Sequence, residues 1–338
     1  MTQIHYEQID EPAVWRGRDL TKAGLTREVS TAERAAADAA LARLRGREVD
    51  TLTRADFADA SLAALAAAIG AEMRDGRGAL VLTGFDAEAY SRDDLTKIYW
   101  GLGTLMGTPQ TQSIFGDRLG HVRREVDNPT ARGYRSDREL NMHTDTTDIA
   151  GLLCLQNSRA GGVTQIVSSL AVHNEIAATR PELLPALYEG FHWHLGGEQN
   201  PGDPDITRER IPVFAEVGGK VCCRYLRVLL DHAGAKMGGT PAALTVALDY
   251  LDEVARRPDM MVQFMLEPGE MFYLNNFTTL HARTAFEDHP EPERRRHLVR
   301  LWLEVPGMRP YPQAMDPYRG GGIKAQAEKL RALQGAAG

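Results

Sequence analysis

Apolar residues recur at three- and four-residue spacing over residues 31–45 and 54–74, two Ala/Leu-rich stretches that this periodicity predicts to be helices. Gly76 and Gly78 close the second. The run GALVLTGF at residues 78–85 reads as a short buried strand. Ser91 opens a further helix, with Asp94 at the capping-box position. From residue 108 to 148 the chain turns polar and irregular, rich in Arg and Asp. Beyond it, IAGLLCLQN (149–157) and VTQIVSS (163–169) read as strands joined by the turn-prone SRAGG. Ser169 is placed to cap a helix through Ala178, and Pro181 opens another. FHWHLG (191–196) reads as a strand, residues 197–210 as a loop dense in Pro, Gly and Asp, and residues 211–228 as a hairpin around GGK. A helix over 241–256 follows, then strands at 263–266, 271–274 and 297–305. The tail carries one helix-like stretch at 323–334.

Helices first and many short strands afterwards predict a mainly β fold with helical additions. No alternating βαβ pattern, G-x-G-x-x-G or P-loop is present, which argues against a nucleotide-binding doubly wound sheet. The expected organisation is one domain. Residues 1–107 form a helical part packed on the core, 108–148 an active-site lid that also brings the first metal-ligand segment, 149–305 the β core, and 306–338 a tail.

Composition narrows the class. Of 338 residues, 43% are hydrophobic and 25% charged, ordinary values for a globular chain. A net charge of -7 argues against a generic phosphate-backbone binder, so no nucleic-acid partner is expected. No apolar run approaches the roughly 20 residues of a membrane span. Three cysteines, Cys154, Cys222 and Cys223, without C-x-x-C spacing, point to a reducing compartment. With no signal-like start, the expectation is a cytoplasmic protein. A homo-oligomer is compatible with the sequence, which does not fix the oligomeric state.

Ten histidines are available for chemistry. A His-x-Asp/Glu pair on an extended segment sends imidazole and carboxylate to the same side, where both can bind one metal ion. The chain holds four such pairs: His5/Glu7, His173/Glu175, His289/Glu291 and His143/Asp145. The first lies in the N-terminal segment. The second falls in a predicted helix, where i and i+2 diverge, and the third straddles Pro290. Only His143/Asp145 sits at the edge of the strand core. A facial triad on iron needs one more imidazole, and His281, after the strand MFYL and the turn Asn275-Asn276, is the best placed. His192 and His194 form an alternative pair. On the last strand, alternation puts Arg296, Leu298, Arg300 and Trp302 on one face. Two arginines among Leu and Trp favour a buried anion pocket over a solvated edge, because an unpaired buried guanidinium is costly and Arg grips carboxylates with a fork.

These residues, in this order, resemble the taurine/2,4-D dioxygenase family of Fe(II)/2-oxoglutarate-dependent oxygenases. The likeness spans residues 141–305 and rests on HTD (143–145), AGGVT (160–164), LHARTAF (280–286) and RRHLVRLWL (295–303). The segment between His281 and Arg296 is longer than in the taurine enzyme, and the helical N-terminal region finds no counterpart. The resemblance implies a double-stranded β-helix (jelly-roll) core. Carried over by position, His143, Asp145 and His281 are iron ligands. Thr164 and Arg296 hold the distal carboxylate of 2-oxoglutarate, and Arg300 meets an anionic substrate head group or the cosubstrate's other carboxylate. Gln110, Gln112 and Tyr134 fall where such enzymes place lid residues that contact substrate.

The implied reaction consumes O2 and 2-oxoglutarate, releases succinate and CO2, and hydroxylates an unactivated C–H bond of a small anionic substrate such as an amino acid. Desaturation or cyclisation would use the same cofactors. Halogenation is disfavoured, since it needs the carboxylate ligand to be absent. Two competing classes are a non-catalytic jelly-roll module binding metal or small acids, and a zinc hydrolase with Glu270 as base. Arg224 and Arg227 read as surface or hairpin charges.

Overall fold

The computed structural model describes residues 3–125 and 133–326, without the side chain of Tyr134. Two sheets form the core. In the larger, the spatial order is Thr26–Glu28, Ala79–Thr83, Met271–Asn275, Ile149–Gln156 and His297–Glu304. The far edge of His297–Glu304 pairs with both Thr108–Pro109 and Leu119–Val122. The smaller sheet runs Met261–Phe264, Thr164–Ser168, Thr279–Arg283, Leu140–His143. Every pair in the two sheets is antiparallel except Thr26–Glu28 with Ala79–Thr83.

Successive core strands alternate between the sheets. The chain goes from Leu140–His143 (small) to Ile149–Gln156 (large) to Thr164–Ser168 (small). It repeats the swing through Met261–Phe264, Met271–Asn275, Thr279–Arg283 and His297–Glu304. This is the jelly-roll winding. Ile149–Gln156 is buried at six of its eight positions, as its unbroken apolar run requires of a central strand covered on both faces.

The N-terminal helices cover the outer face of the large sheet. Arg92–Met106 starts with a complete Ser91/Asp94 capping box and packs on His297–Glu304 and Ile149–Gln156. Contact is close at Gly103, where an added Cβ would lie 2.3 Å from Leu301 Cδ2. The opposite face of His297–Glu304 carries Arg300 and Trp302 toward the interior. Helices Ser169–Thr179 and Ala242–Ala255 pack together, and the former also packs on the small sheet.

Four expectations are corrected. Residues 54–74 do not form one helix: Arg54–Phe57 is a 3-10 turn, and Asp59 caps a separate helix, Ala60–Asp75, by accepting from Ser61 and Leu62. The cap of Ser169–Thr179 is Ser168, whose hydroxyl accepts from Ala171. FHWHLG is no strand. It makes isolated bridges, Phe191 to Ile211 and His194 to Ile206, because Leu195 and Trp193 bond instead to the returning loop at Asp205 and Thr207. In the tail, Ile323 belongs to a two-residue strand, Gly322–Ile323, pairing with Thr111–Gln112. Three successive glycines at positive φ, Gly320 to Gly322, direct the chain there. The rest of the helix-like stretch, from residue 327, lies outside the described residues.

Filling the contact at Gly103 tests this packing. Gly103→Val should destabilise the protein by about 1–3 kcal/mol through overpacking against Leu301. Chemical denaturation would read this as a lowered midpoint, and an unchanged midpoint would refute the close helix–sheet contact.

Candidate active site

His143 ends the strand Leu140–His143 and lies directly across from His281 in Thr279–Arg283. Their ring centroids are 4.2 Å apart. Asp145 follows on the connection to Ile149–Gln156. The ligand atoms of His143, Asp145 and His281 all lie within 4.8 Å of one another, with His281 Nε2 3.7 Å from Asp145 Oδ2.

The turn that carries Asp145 is fixed by its backbone. Its N–H donates to Asn276 Oδ1 at 2.9 Å, and its carbonyl accepts from Arg224 Nη1. The N–H of Thr144 donates to the Tyr225 carbonyl at 2.7 Å. The hairpin charge expected at the surface, Arg224, is thus buried. It also donates to the Thr147 carbonyl at 3.3 Å and lies 4.6 Å from the Phe277 ring centroid. Arg227 stays peripheral, paired with Asp231, Asp249 and Asp252.

The carboxylate is held from the large sheet. Trp302 Nε1 donates to Asp145 Oδ2 at 2.9 Å, and Arg300 Nη1 lies 3.3 Å from Oδ1. Arg300 Nε in turn donates to Gln112 Oε1 at 2.7 Å. Gln112 Nε2 donates to the carbonyls of Arg300 and Arg118, each at 2.9 Å. Both glutamines expected to contact substrate are buried with protein partners: Gln110 accepts from Thr147 Oγ1 at 2.9 Å and donates to Glu304 at 3.4 Å. The Tyr134 side chain falls outside the described residues.

The protonation states suit a metal. Burial alone would raise the Asp145 carboxyl, but Arg300, the two imidazoles and the Trp302 N–H outweigh it and bring it down to about 2. Burial, reinforced by His143, pushes His281 down to about 3 against the pull of Asp145. His143 Nδ1 sits 2.7 Å from the Asn141 carbonyl. A carbonyl only accepts, so Nδ1 carries a proton and Nε2 is the atom left for a metal. Two imidazoles and a carboxylate are a donor set for iron with positions left open.

Thr164 is buried at the start of Thr164–Ser168, its side chain on the same face as Ile166, the register partner of His281. Arg296 is 4% exposed, as the alternation reading favoured, and its Nη1 is buried without a partner among the described residues. A Cβ on Gly162, which has φ +74°, would lie 3.1 Å from Arg296 Nε, so the second glycine of AGGVT makes room for that arginine.

Other expectations fall away from the centre. His192 Nδ1 bonds the Thr207 carbonyl at 2.7 Å and His194 pairs with Asp205 at 3.2 Å, so they do not form a joint metal pair. Glu270 pairs with Lys22 at 2.7 Å and accepts from the Glu267 N–H, which leaves the hydrolase reading without its base. Sequence reasoning assigned no role at the centre to Trp302 or Asn276, and it read Arg224 as a surface or hairpin charge. For Trp302 a signal existed, since alternation puts it on the face of Arg300.

A model of the family described as "Taurine catabolism dioxygenase TauD, TfdA family" matches residues 38–302. The chain belongs to this family. It is 33% identical over 265 residues to FR-33289 synthase of Streptomyces rubellomurinus, covering 76% of this chain and 77% of that one. It is 30% identical over 254 residues to the taurine hydroxylase-like protein SAT17 of Stachybotrys chartarum, covering 68% and 64%. Its fold is similar to that of asparagine oxygenase solved with Fe(II), 2S,3S-3-hydroxyasparagine and succinate. The TM-score is 0.67 at 17% identity, over 89% of this chain and 100% of that one. It is also similar to the non-heme iron oxygenase OrfP solved with Fe, succinate and (3S)-hydroxy-L-Arg, with TM-score 0.62 at 15% identity over 82% and 94%. The fold of this dioxygenase is therefore the jelly roll that the sequence pattern and resemblance predicted. No helix among the described residues is long and apolar enough to cross a membrane.

The indole contact to Asp145 carries a prediction. Trp302→Phe removes one donor from the carboxylate and should weaken Fe(II) binding by about ten- to a hundred-fold. Metal titration measures this, and an affinity equal to that of the unaltered protein would exclude an orienting role.

Proposed function

We propose that this dioxygenase uses Fe(II), O2 and 2-oxoglutarate to hydroxylate an unactivated C–H bond of a small anionic substrate. The observation that carries the reading is the convergence of His143, Asp145 and His281, from two paired strands and the connection that follows the first, within a member of this family. In this reading they are the iron ligands. His143, Asp145 and His281 would hold Fe(II) with 2-oxoglutarate, which together would supply an oxidant from O2 by oxidative decarboxylation, with one oxygen atom passing to succinate, the other to the product hydroxyl, and CO2 released.

The chain's own residues bind and orient. Thr164 and Arg296 take the distal carboxylate of 2-oxoglutarate. In support, Arg296 is buried and keeps an unpartnered N–H nitrogen, which an anion would satisfy. Arg300 braces Asp145 and lends positive charge to the side of the centre facing the 108–148 segment, where it suits the acid group of the substrate. Gln112 holds Arg300 in place from that segment, which supports its reading as the cover over the site. An amino acid or another small acid fits this charge. Asparagine oxygenase and OrfP, solved with hydroxylated amino acids, share the fold.

The test is anaerobic. Fe(II) and 2-oxoglutarate added to metal-free protein should give the visible charge-transfer band of a chelated 2-oxo acid, and Asp145→Ala should give none. Absence of the band from iron-loaded wild-type protein would sink the reading in favour of a binding module. With O2 restored, small carboxylates, sulfonates or phosphonates should raise succinate release, and their uncharged analogues should not.

A further inference from the structure

A second buried arginine stands beside the pocket assigned to 2-oxoglutarate. Arg283 follows His281 by two residues on the same strand, so both side chains leave the same face. Its register partner across the strand pair is Thr164. Directly opposed residues of an antiparallel pair point the same way, with Cβ atoms about 4.5–5.5 Å apart. Arg283 is 5% exposed. Its Cζ lies 4.7 Å from the Phe286 ring centroid, and Arg296 Cζ lies 5.1 Å from the same centroid. The volume around Phe286 thus holds both guanidiniums, and Arg283 shares its sheet face with Thr164 and with His281 of the metal-ligand cluster.

The charges in that volume do not balance. Arg283 Nη2 donates to the carbonyls of Ser136 and Arg138. Its Nε and Nη1 are buried without a partner among the described residues, as is Arg296 Nη1. Asp288 lies near both, but its Oδ1 takes the backbone N–H of Arg296 at 2.8 Å and its Oδ2 bonds neither guanidinium. Asp137 pairs with Arg124 at 3.1 Å. Cation–π contact with one phenyl ring returns roughly 0.5–2 kcal/mol per arginine, less than the several kcal/mol that burying an ion costs. A guanidinium stays protonated at neutral pH, so both residues are cations. Two buried cations with three unpartnered N–H nitrogens call for an anion with two oxygens.

We infer that Arg283 is a second cosubstrate ligand, which together with Arg296 and the Thr164 hydroxyl grips the distal carboxylate of 2-oxoglutarate. The inference rests on the cosubstrate reading above and adds a residue to it. Because the same guanidinium holds the backbone at Ser136 and Arg138, it also ties cosubstrate occupancy to the segment covering the site.

The test compares two 2-oxo acids on the full chain, loaded with Fe(II) under anaerobic conditions, by titration calorimetry. One is 2-oxoglutarate. The other is 2-oxopentanoate, which has the same carbon chain without the distal carboxylate. Arg283→Gln should weaken 2-oxoglutarate binding by about ten-fold or more, the worth of a charge-assisted hydrogen bond. It should leave 2-oxopentanoate within about two-fold, and Arg296→Gln should behave alike. If Arg283 only tethers the covering segment, Arg283→Gln will weaken both acids equally, or leave 2-oxoglutarate unchanged while Arg296→Gln loses it; either result overturns the inference. If wild-type protein binds both acids equally, the cosubstrate reading of the pocket fails, and the inference with it. Should the Gln variant not fold, Arg283→Lys carries the same comparison: a loss confined to 2-oxoglutarate supports the inference, and an equal effect on both acids overturns it.

Discussion

Burying a carboxylate costs roughly several kcal/mol unless its oxygens find partners, and Asp145 is buried where the two sheets meet. Its partners come from different parts of the chain. The indole and guanidinium are on the last strand of the large sheet, the imidazoles on the small sheet, and the backbone clamps come from the Asn275-Asn276 turn and from Arg224. Arg224 follows the hairpin of Phe214–Val217 and Lys220–Cys223 and precedes a helix, Arg227–Met237, where the sequence suggests hairpin to residue 228. No single element could stabilise that charge. The site therefore depends on the sheets closing with Trp302 and Arg300 facing His281, which fixes the register of His297–Glu304 against Ile149–Gln156. A slip of one residue would turn both side chains toward helix Arg92–Met106 and leave Leu301 or Leu303 against the carboxylate.

The same register serves the outer layer. Leu301 and Leu303 face the helix because Arg300 and Trp302 face inward, and Gly103 lets the helix approach Leu301. Packing on one face and polar chemistry on the other are thus two consequences of one alternation. This is why a strand that looks simply apolar can bring a buried Arg296 and a partly buried Arg300 to the interior.

Much of this was legible in the sequence because it is carried by local spacing. Histidine and aspartate at i and i+2, arginines at i and i+4 on an apolar strand, and the Ser91/Asp94 box are short-range patterns, and the folded chain uses each of them. What escaped the sequence depends on distant partners. FHWHLG alternates like a strand, yet its hydrogen bonds go to a loop more than ten residues later. Arg224 looks like a hairpin charge, and only the fold reveals that two backbone carbonyls of the Asp145 turn lie within its reach. Gln110 and Gln112 read as lid residues in contact with substrate, and the fold turns both onto protein partners. Their burial depends on Thr147, Glu304 and Arg300, all far away in sequence.

The family match stops at residue 302, but the chain beyond it still bears on the site. Gly322–Ile323 adds a parallel strand to Thr111–Gln112, and Thr111 Oγ1 donates to the carbonyls of Gly321 and Ile323. Gln326 N–H donates to the Ile114 carbonyl. These bonds hold the backbone from which Gln112 reaches Arg300, and Arg300 reaches Asp145. Buried Met308, Met315, Tyr318 and Ile323 seat this stretch on the core, and main-chain pairing places its end. It fixes the backbone from Thr111 to Ile114, at the start of the 108–148 segment. Gln112 there is held by Arg300, and the carbonyls of Ser136 and Arg138 are held by Arg283, so two arginines of the core strands reach this segment at separate points.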